Sequence, residues 1–156
     1  MLEQRLKREG FDDKVVNASI SGDTSAGGRA RLPALLAEHK PALVILELGG
    51  NDGLRGMPPT QLQQNLASMI DSSRVSGAKV LLLGMQLPPN YGVRYTQAFA
   101  EVFIKVANEK KIPLVPFFLD GVGGHPDLMQ GDGLHPAAAA QDKLLENVWP
   151  TLKPLL

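Results

Sequence analysis

Two rhythms of apolar residues alternate along the chain. Short continuous runs, Lys14–Ser19 (KVVNAS), Leu43–Leu48 (LVILEL), Lys79–Leu83 (KVLLL) and Leu114–Phe118 (LVPFF), read as strands, the middle two as strands buried on both faces. Elsewhere the apolar positions recur at helical spacing: Leu2 and Leu6, then Leu32, Leu35 and Leu36, then Leu62, Leu66, Met69 and Ile70, then Phe99, Val102, Phe103 and Val106. Gly10 caps the first of these segments, Pro41 breaks the second and Gly77 ends the third, while a last helix starts at Ala137 and runs to about Val148 or beyond. Thr60 and Gln63 have the spacing of a capping box, and Pro116 places the last strand at an edge or at its own end. A helix followed by four strand–helix pairs predicts an α/β domain with a mainly parallel sheet, covered by helices on both faces.

In sheets of that kind ligands bind just beyond the carboxyl ends of the strands. Leu43–Leu48 runs directly into Gly49-Gly50-Asn51-Asp52-Gly53, where the glycines allow a close backbone approach and the Asn51 amide can donate to an oxyanion; the same string is also ordinary turn chemistry. Asp132-Gly133-Leu134-His135-Pro136 stands before the last helix. Three residues across a glycine turn let a carboxylate reach an imidazole, fix its tautomer and stabilise its charged form. His125 has no carboxylate at such a spacing and reads as a loop residue, and His39 as a helix end. The loop from Gly84 to Gly92 exceeds a minimal turn and is a candidate to line a substrate site.

Composition narrows the partners. Apolar residues make up 44% and charged residues 21%, a balance that excludes a disordered chain, and no apolar run is long enough for a membrane helix. Sixteen basic residues offset sixteen acidic ones, which argues against nucleic acid as a partner recognised by overall charge. With no cysteine there is no thiolate nucleophile, disulfide or zinc–thiolate site, and neither a Walker lysine loop nor a Gly-x-Gly-x-x-Gly turn supports a nucleotide-binding domain. No metal or cofactor is expected. The first residues, Met1-Leu2-Glu3-Gln4-Arg5, open an amphipathic segment and do not form an export signal.

Three blocks in order, Val16–Ser25 (VNASISGDTS), Glu47–Gly53 (ELGGNDG) and Asp132–Pro136 (DGLHP), resemble the SGNH (GDSL-type) hydrolase superfamily, in its bacterial arylesterase, acyl-CoA thioesterase and lysophospholipase branch. The resemblance covers essentially the whole chain, residues 1–156, as a single domain, and implies a flavodoxin-like three-layer α/β/α fold with strand order 2-1-3-4-5. It implies a serine-type carboxylic-ester hydrolase acting on short to medium acyl esters, and thioesters, by an acyl-enzyme mechanism, with Gly22 (backbone N–H) and Asn51 (side-chain amide) as oxyanion-hole donors, His135 as general base and Asp132 as its orienting acid. Residues 85–94 resemble the segment that shapes the acyl groove, and the branch implies a periplasmic or secreted location.

The Gly-Asp-Ser block that carries the family's nucleophile occurs nowhere in the 156 residues, so the domain is expected to be N-terminally truncated, missing its first, central strand. The nucleophile is unknown. Ser21, Thr24 and Ser25, in the string Ser21-Gly22-Asp23-Thr24-Ser25, are weak substitutes. The alternative is a catalytically impaired relative that only binds acyl or ester ligands. Strand edges left open by the missing block predict a homo-oligomer.

Overall fold

The computed structural model describes all 156 residues, which divide into two compact units, Ala18–Pro116 and Met1–Asn17 with Phe117–Leu156. The first unit is an α/β layer in which β1 (Leu43–Leu46), β2 (Lys79–Leu83) and β3 (Leu114–Val115) lie parallel in that order. Leu43 pairs with Lys79 and Leu46 with Leu82, while Leu82 pairs with Leu114 and Leu83 with Val115. On one face Val80 and Leu82 pack into a core with residues of α4 (Pro59–Val75) and α5 (Val93–Lys110), among them Leu62, Leu66, Ile70, Phe103 and Val106; Leu81 and Leu83, on the other face, are buried too. This accounts for the unbroken apolar run at 80–83. No helix is long and apolar enough to cross a membrane.

Several boundaries differ from the sequence reading. Lys14–Ser19 forms no strand. Its two valines are adjacent, so an extended chain would send one to each side, and Val15 and Val16 are in fact 36% and 55% exposed. Three strand–helix pairs therefore form in place of four, and β1 stands at the edge of the sheet. The last strand is two residues long because Pro116 has no N–H to continue the ladder. Thr60 lies inside the first turn of α4, whose cap is Pro58, so no capping box forms.

Helix α2 (Ser25–His39) begins well before its apolar stripe because Thr24 caps it, its hydroxyl accepting from the Gly27 N–H at 3.3 Å. Gly28 belongs inside this helix for a packing reason: a Cβ there would stand 2.2 Å from the Leu48 side chain. Beyond β1, Gly49 takes φ of +119°, where a side chain would be strained and would crowd Leu62 and Phe103, and the chain turns at once into the short helix α3 (Gly50–Leu54).

The second unit contains α1 (Leu2–Arg8) and α6 (Gln141–Leu152). Arg5 stacks 4.8 Å above the Trp149 ring and pairs with Glu146 at 2.7 Å, Phe11 meets Trp149 edge-on, and Lys153 pairs with Glu9. Asn147 donates to the carbonyls of Phe118 and Asp120 and so ties α6 to the loop that leads toward residues 129–136.

Candidate functional site

Asp132 and His135 come together as their spacing predicts. Gly133, at φ +66°, turns the chain between them, and the turn is closed by Gln130 N–H on the His135 carbonyl at 2.7 Å and by a bridge between Met129 and Pro136. One Asp132 oxygen accepts from the backbone N–H groups of Leu134 and His135, at 2.9 and 3.0 Å. The other lies 2.6 Å from His135 Nδ1. The His135 ring first, and the two N–H groups after it, hold the Asp132 carboxyl well below the usual carboxylate range. With Nδ1 committed to Asp132, the ring presents Nε2 outward; it has no partner in the protein, and the side chain is 63% exposed. A carboxylate-oriented imidazole with a free, accessible Nε2 is built to accept and return a proton.

Gly22 and Asn51 belong to the other unit and are set there by their own neighbours. Gly22 takes φ of +77°, and its carbonyl accepts from Arg55 at 3.2 Å. Asn51, in the first turn of α3, donates one amide hydrogen to the Asp23 carbonyl at 3.0 Å and keeps the second. The loop around Gly22 is braced by Arg31, which reaches Asp23 at 2.8 Å and the Ala18 carbonyl at 2.6 Å. Two N–H donors on adjoining segments suit a localised negative charge.

The hydroxyls near Gly22 differ in what they can do. Ser25 is fully buried, its Oγ donating to Asp52 at 2.5 Å and accepting from Asn65 at 2.9 Å, so it offers nothing to an incoming molecule. Thr24 is engaged as the cap of α2, and Ser21 is exposed. His125 is an exposed loop residue and His39 the last residue of α2.

Residues 85–94 are anchored over α3. Leu87 fills the space that a side chain at Gly53 would need, and Tyr95 donates to the Met57 carbonyl at 2.8 Å, with burial raising its phenol above the usual value. The open groove between α2 and α4, lined by Arg29, Leu36, Ser68 and Val75, contains none of the candidate residues. No group of three or more His, Asp or Glu side chains gathers for a metal ion.

The residue least visible in the sequence is Asp52, a buried carboxylate beside Asn51. Its only local signal is an acidic residue within a glycine-rich turn.

Residues 1–143 match the family model described as the GDSL-like lipase/acylhydrolase family. The chain is 72% identical over 156 residues to the protein named esterase TesA of Pseudomonas aeruginosa, covering all of this chain and 78% of that one. It is 49% identical over 142 residues to thioesterase 1/protease 1/lysophospholipase L1 of Escherichia coli K12, covering 91% of this chain and 68% of the relative. Its fold superposes on the crystal structure of TesA with a TM-score of 0.97 at 72% identity, over 99% of this chain and 86% of that one.

Proposed function

This chain belongs to the GDSL-like lipase/acylhydrolase family and is an esterase-type hydrolase, and we propose that it cleaves short to medium acyl esters and thioesters through an acyl-enzyme, as one domain over residues 1–156. The observation that carries this reading is the Asp132–His135 pair with its free Nε2. In the scheme that the family resemblance implies, a serine hydroxyl attacks the ester carbonyl carbon and passes its proton to the general base, the role given to His135 Nε2. The family resemblance gives the stabilisation of the charge that develops on the carbonyl oxygen to the Gly22 N–H and the Asn51 amide. Collapse expels the alcohol or thiol, protonated from Nε2, and water repeats the cycle to release the acid. We assign the attacking hydroxyl to none of Ser21, Thr24 and Ser25. The reading as a binding-only relative is not favoured, since the proteins this chain matches are named as enzymes.

Asn51→Ala tests the charge-stabilising half of this scheme. It is expected to lower kcat for a chromogenic short-chain ester by about 10²–10³-fold, the usual cost of losing one oxyanion donor, with KM little changed. An unaltered kcat would remove Asn51 from the site.

We propose further that two copies associate through the edge of β1. That strand has a ladder neighbour on one side only, and Ile45 on it is 36% exposed. Light scattering should return twice the chain mass, and Ile45→Lys should return the monomer. A monomer at every concentration for the unaltered chain would refute the association.

A further inference from the structure

Beneath the two donor segments lies a buried polar cluster that the hydrolytic scheme does not use. Asp52, Ser25 and Asn65 are 1%, 0% and 5% exposed. Removing a carboxylate from water is costly unless it is hydrogen-bonded, and each Asp52 oxygen has a donor from a single neighbour. The Ser25 backbone N–H donates to one of its oxygens at 2.8 Å and the Ser25 hydroxyl to the other at 2.5 Å. Ser25 is the first residue of α2, so the carboxylate also faces the positive end of that helix. Asn65 of α4 then donates to the Ser25 Oγ at 2.9 Å, and Arg29 to Asn65 at 3.3 Å. Ser25 Oγ thus donates to Asp52 and accepts from Asn65, and these two roles fix the orientations of all three side chains.

The cluster joins the two segments that carry the donors. Gly22 lies three residues before Ser25, and Asn51 immediately precedes Asp52, so the Ser25–Asp52 contact links the segment of Gly22 to that of Asn51. We infer that Asp52 is a positioning residue for the oxyanion hole, acting through Ser25 and Asn65 without touching substrate. This rests on the assignment of Gly22 and Asn51 as the donors. A carbonyl oxygen becomes an oxyanion only in the transition state, so a misplaced donor pair costs kcat and spares ground-state binding.

Asp52→Asn keeps the shape and breaks the logic. If its carbonyl faces the Ser25 N–H, its NH₂ faces a Ser25 Oγ that already accepts from Asn65, and the hydroxyl hydrogen loses its acceptor. A shift of about 1 Å in a catalytic group costs on the order of 10²-fold. The expected result for Asp52→Asn is therefore a kcat lower by about 10²-fold with KM within about threefold of the unaltered chain. Val106→Ala, in the same core on α5 but outside the cluster, serves as the control: it should lower Tm and leave kcat per folded molecule unchanged.

A second measurement is independent of turnover. The NMR signals of the Gly22 N–H and the Asn51 side-chain amide should shift in Asp52→Asn and stay in place in Val106→Ala. Loss of kcat in Asp52→Asn with both signals shifted supports the inference. Unmoved signals, or a kcat that falls only as far as in Val106→Ala, would overturn it. If the unaltered chain shows no turnover, the hydrolytic reading fails separately and the amide signals alone decide whether Asp52 positions the pair.

Discussion

His135→Ala is expected to reduce kcat for a chromogenic ester by roughly 10⁴–10⁶-fold, the range found when a triad member is lost in serine hydrolases. The fold should be unaffected. The His135 side chain is 63% exposed, and the contacts that shape its turn run through its backbone: its N–H donates to Asp132 and its carbonyl accepts from Gln130. An alanine keeps both. Tm should therefore move little, as for other exposed substitutions without a buried partner. What disappears is Nε2, the one group in this turn placed to take a proton from an attacking hydroxyl and hand it to the departing alcohol or thiol. Steady-state kinetics on the purified variant, with circular dichroism to confirm the fold, provides the measurement. Turnover at the level of the unaltered chain would show that the proton moves through some other group.

The dyad was legible because everything it needs lies within four residues: an acid, a glycine that can take positive φ, and an imidazole. Strand β2 and helices α4 and α5 were legible for a related reason, since Val80, Leu82, Leu62, Leu66, Phe103 and Val106 bury themselves at the spacings that define strand and helix. Where a residue's role depends on a distant partner the pattern is silent. Ser25 and Asp52 are 27 positions apart, and nothing local marks either as half of a buried pair. The start of α2 was hidden by Gly27 and Gly28, which look like loop residues until Leu48 is seen to occupy the space beside Gly28. Lys14–Ser19 has the composition of a strand, but composition does not supply a ladder neighbour or a face to bury, and Val15 and Val16 stay exposed. The family motifs around Gly22 and Asn51 were readable as strings, whereas the contact that ties them together, Asn51 to the Asp23 carbonyl, emerges only from the fold.

Asp132→Asn separates the orienting role proposed for the acid from its role in the turn. In the unaltered chain one Asp132 oxygen closes the turn through the Leu134 and His135 N–H groups while the other holds His135 Nδ1 at 2.6 Å. Asparagine can keep the first role with its carbonyl oxygen. Its NH₂ then faces Nδ1, which must become an acceptor, and the ring proton moves to Nε2, the atom that has to be unprotonated to act as base. The expected result is a loss of about 10⁴-fold in kcat with an unchanged Tm, the magnitude seen for the same exchange in a serine protease triad. Asp132→Ala, which also removes the acceptor for the two N–H groups, should lose activity and lower Tm as well.

The pH dependence follows from the same contacts. Because the His135 ring and the backbone N–H groups lower the folded-state value of Asp132, its contribution is complete above the ordinary carboxylate range and is lost only as pH falls through the depressed value. Asp132 thus stays ionised until well below the usual carboxylate range and adds no proton of its own to the acid limb of kcat/KM, which should fall with the slope of a single group. A limb with the slope of two protons, or an Asp132→Asn variant with full activity at neutral pH, would mean that Asp132 does not fix the tautomer of His135.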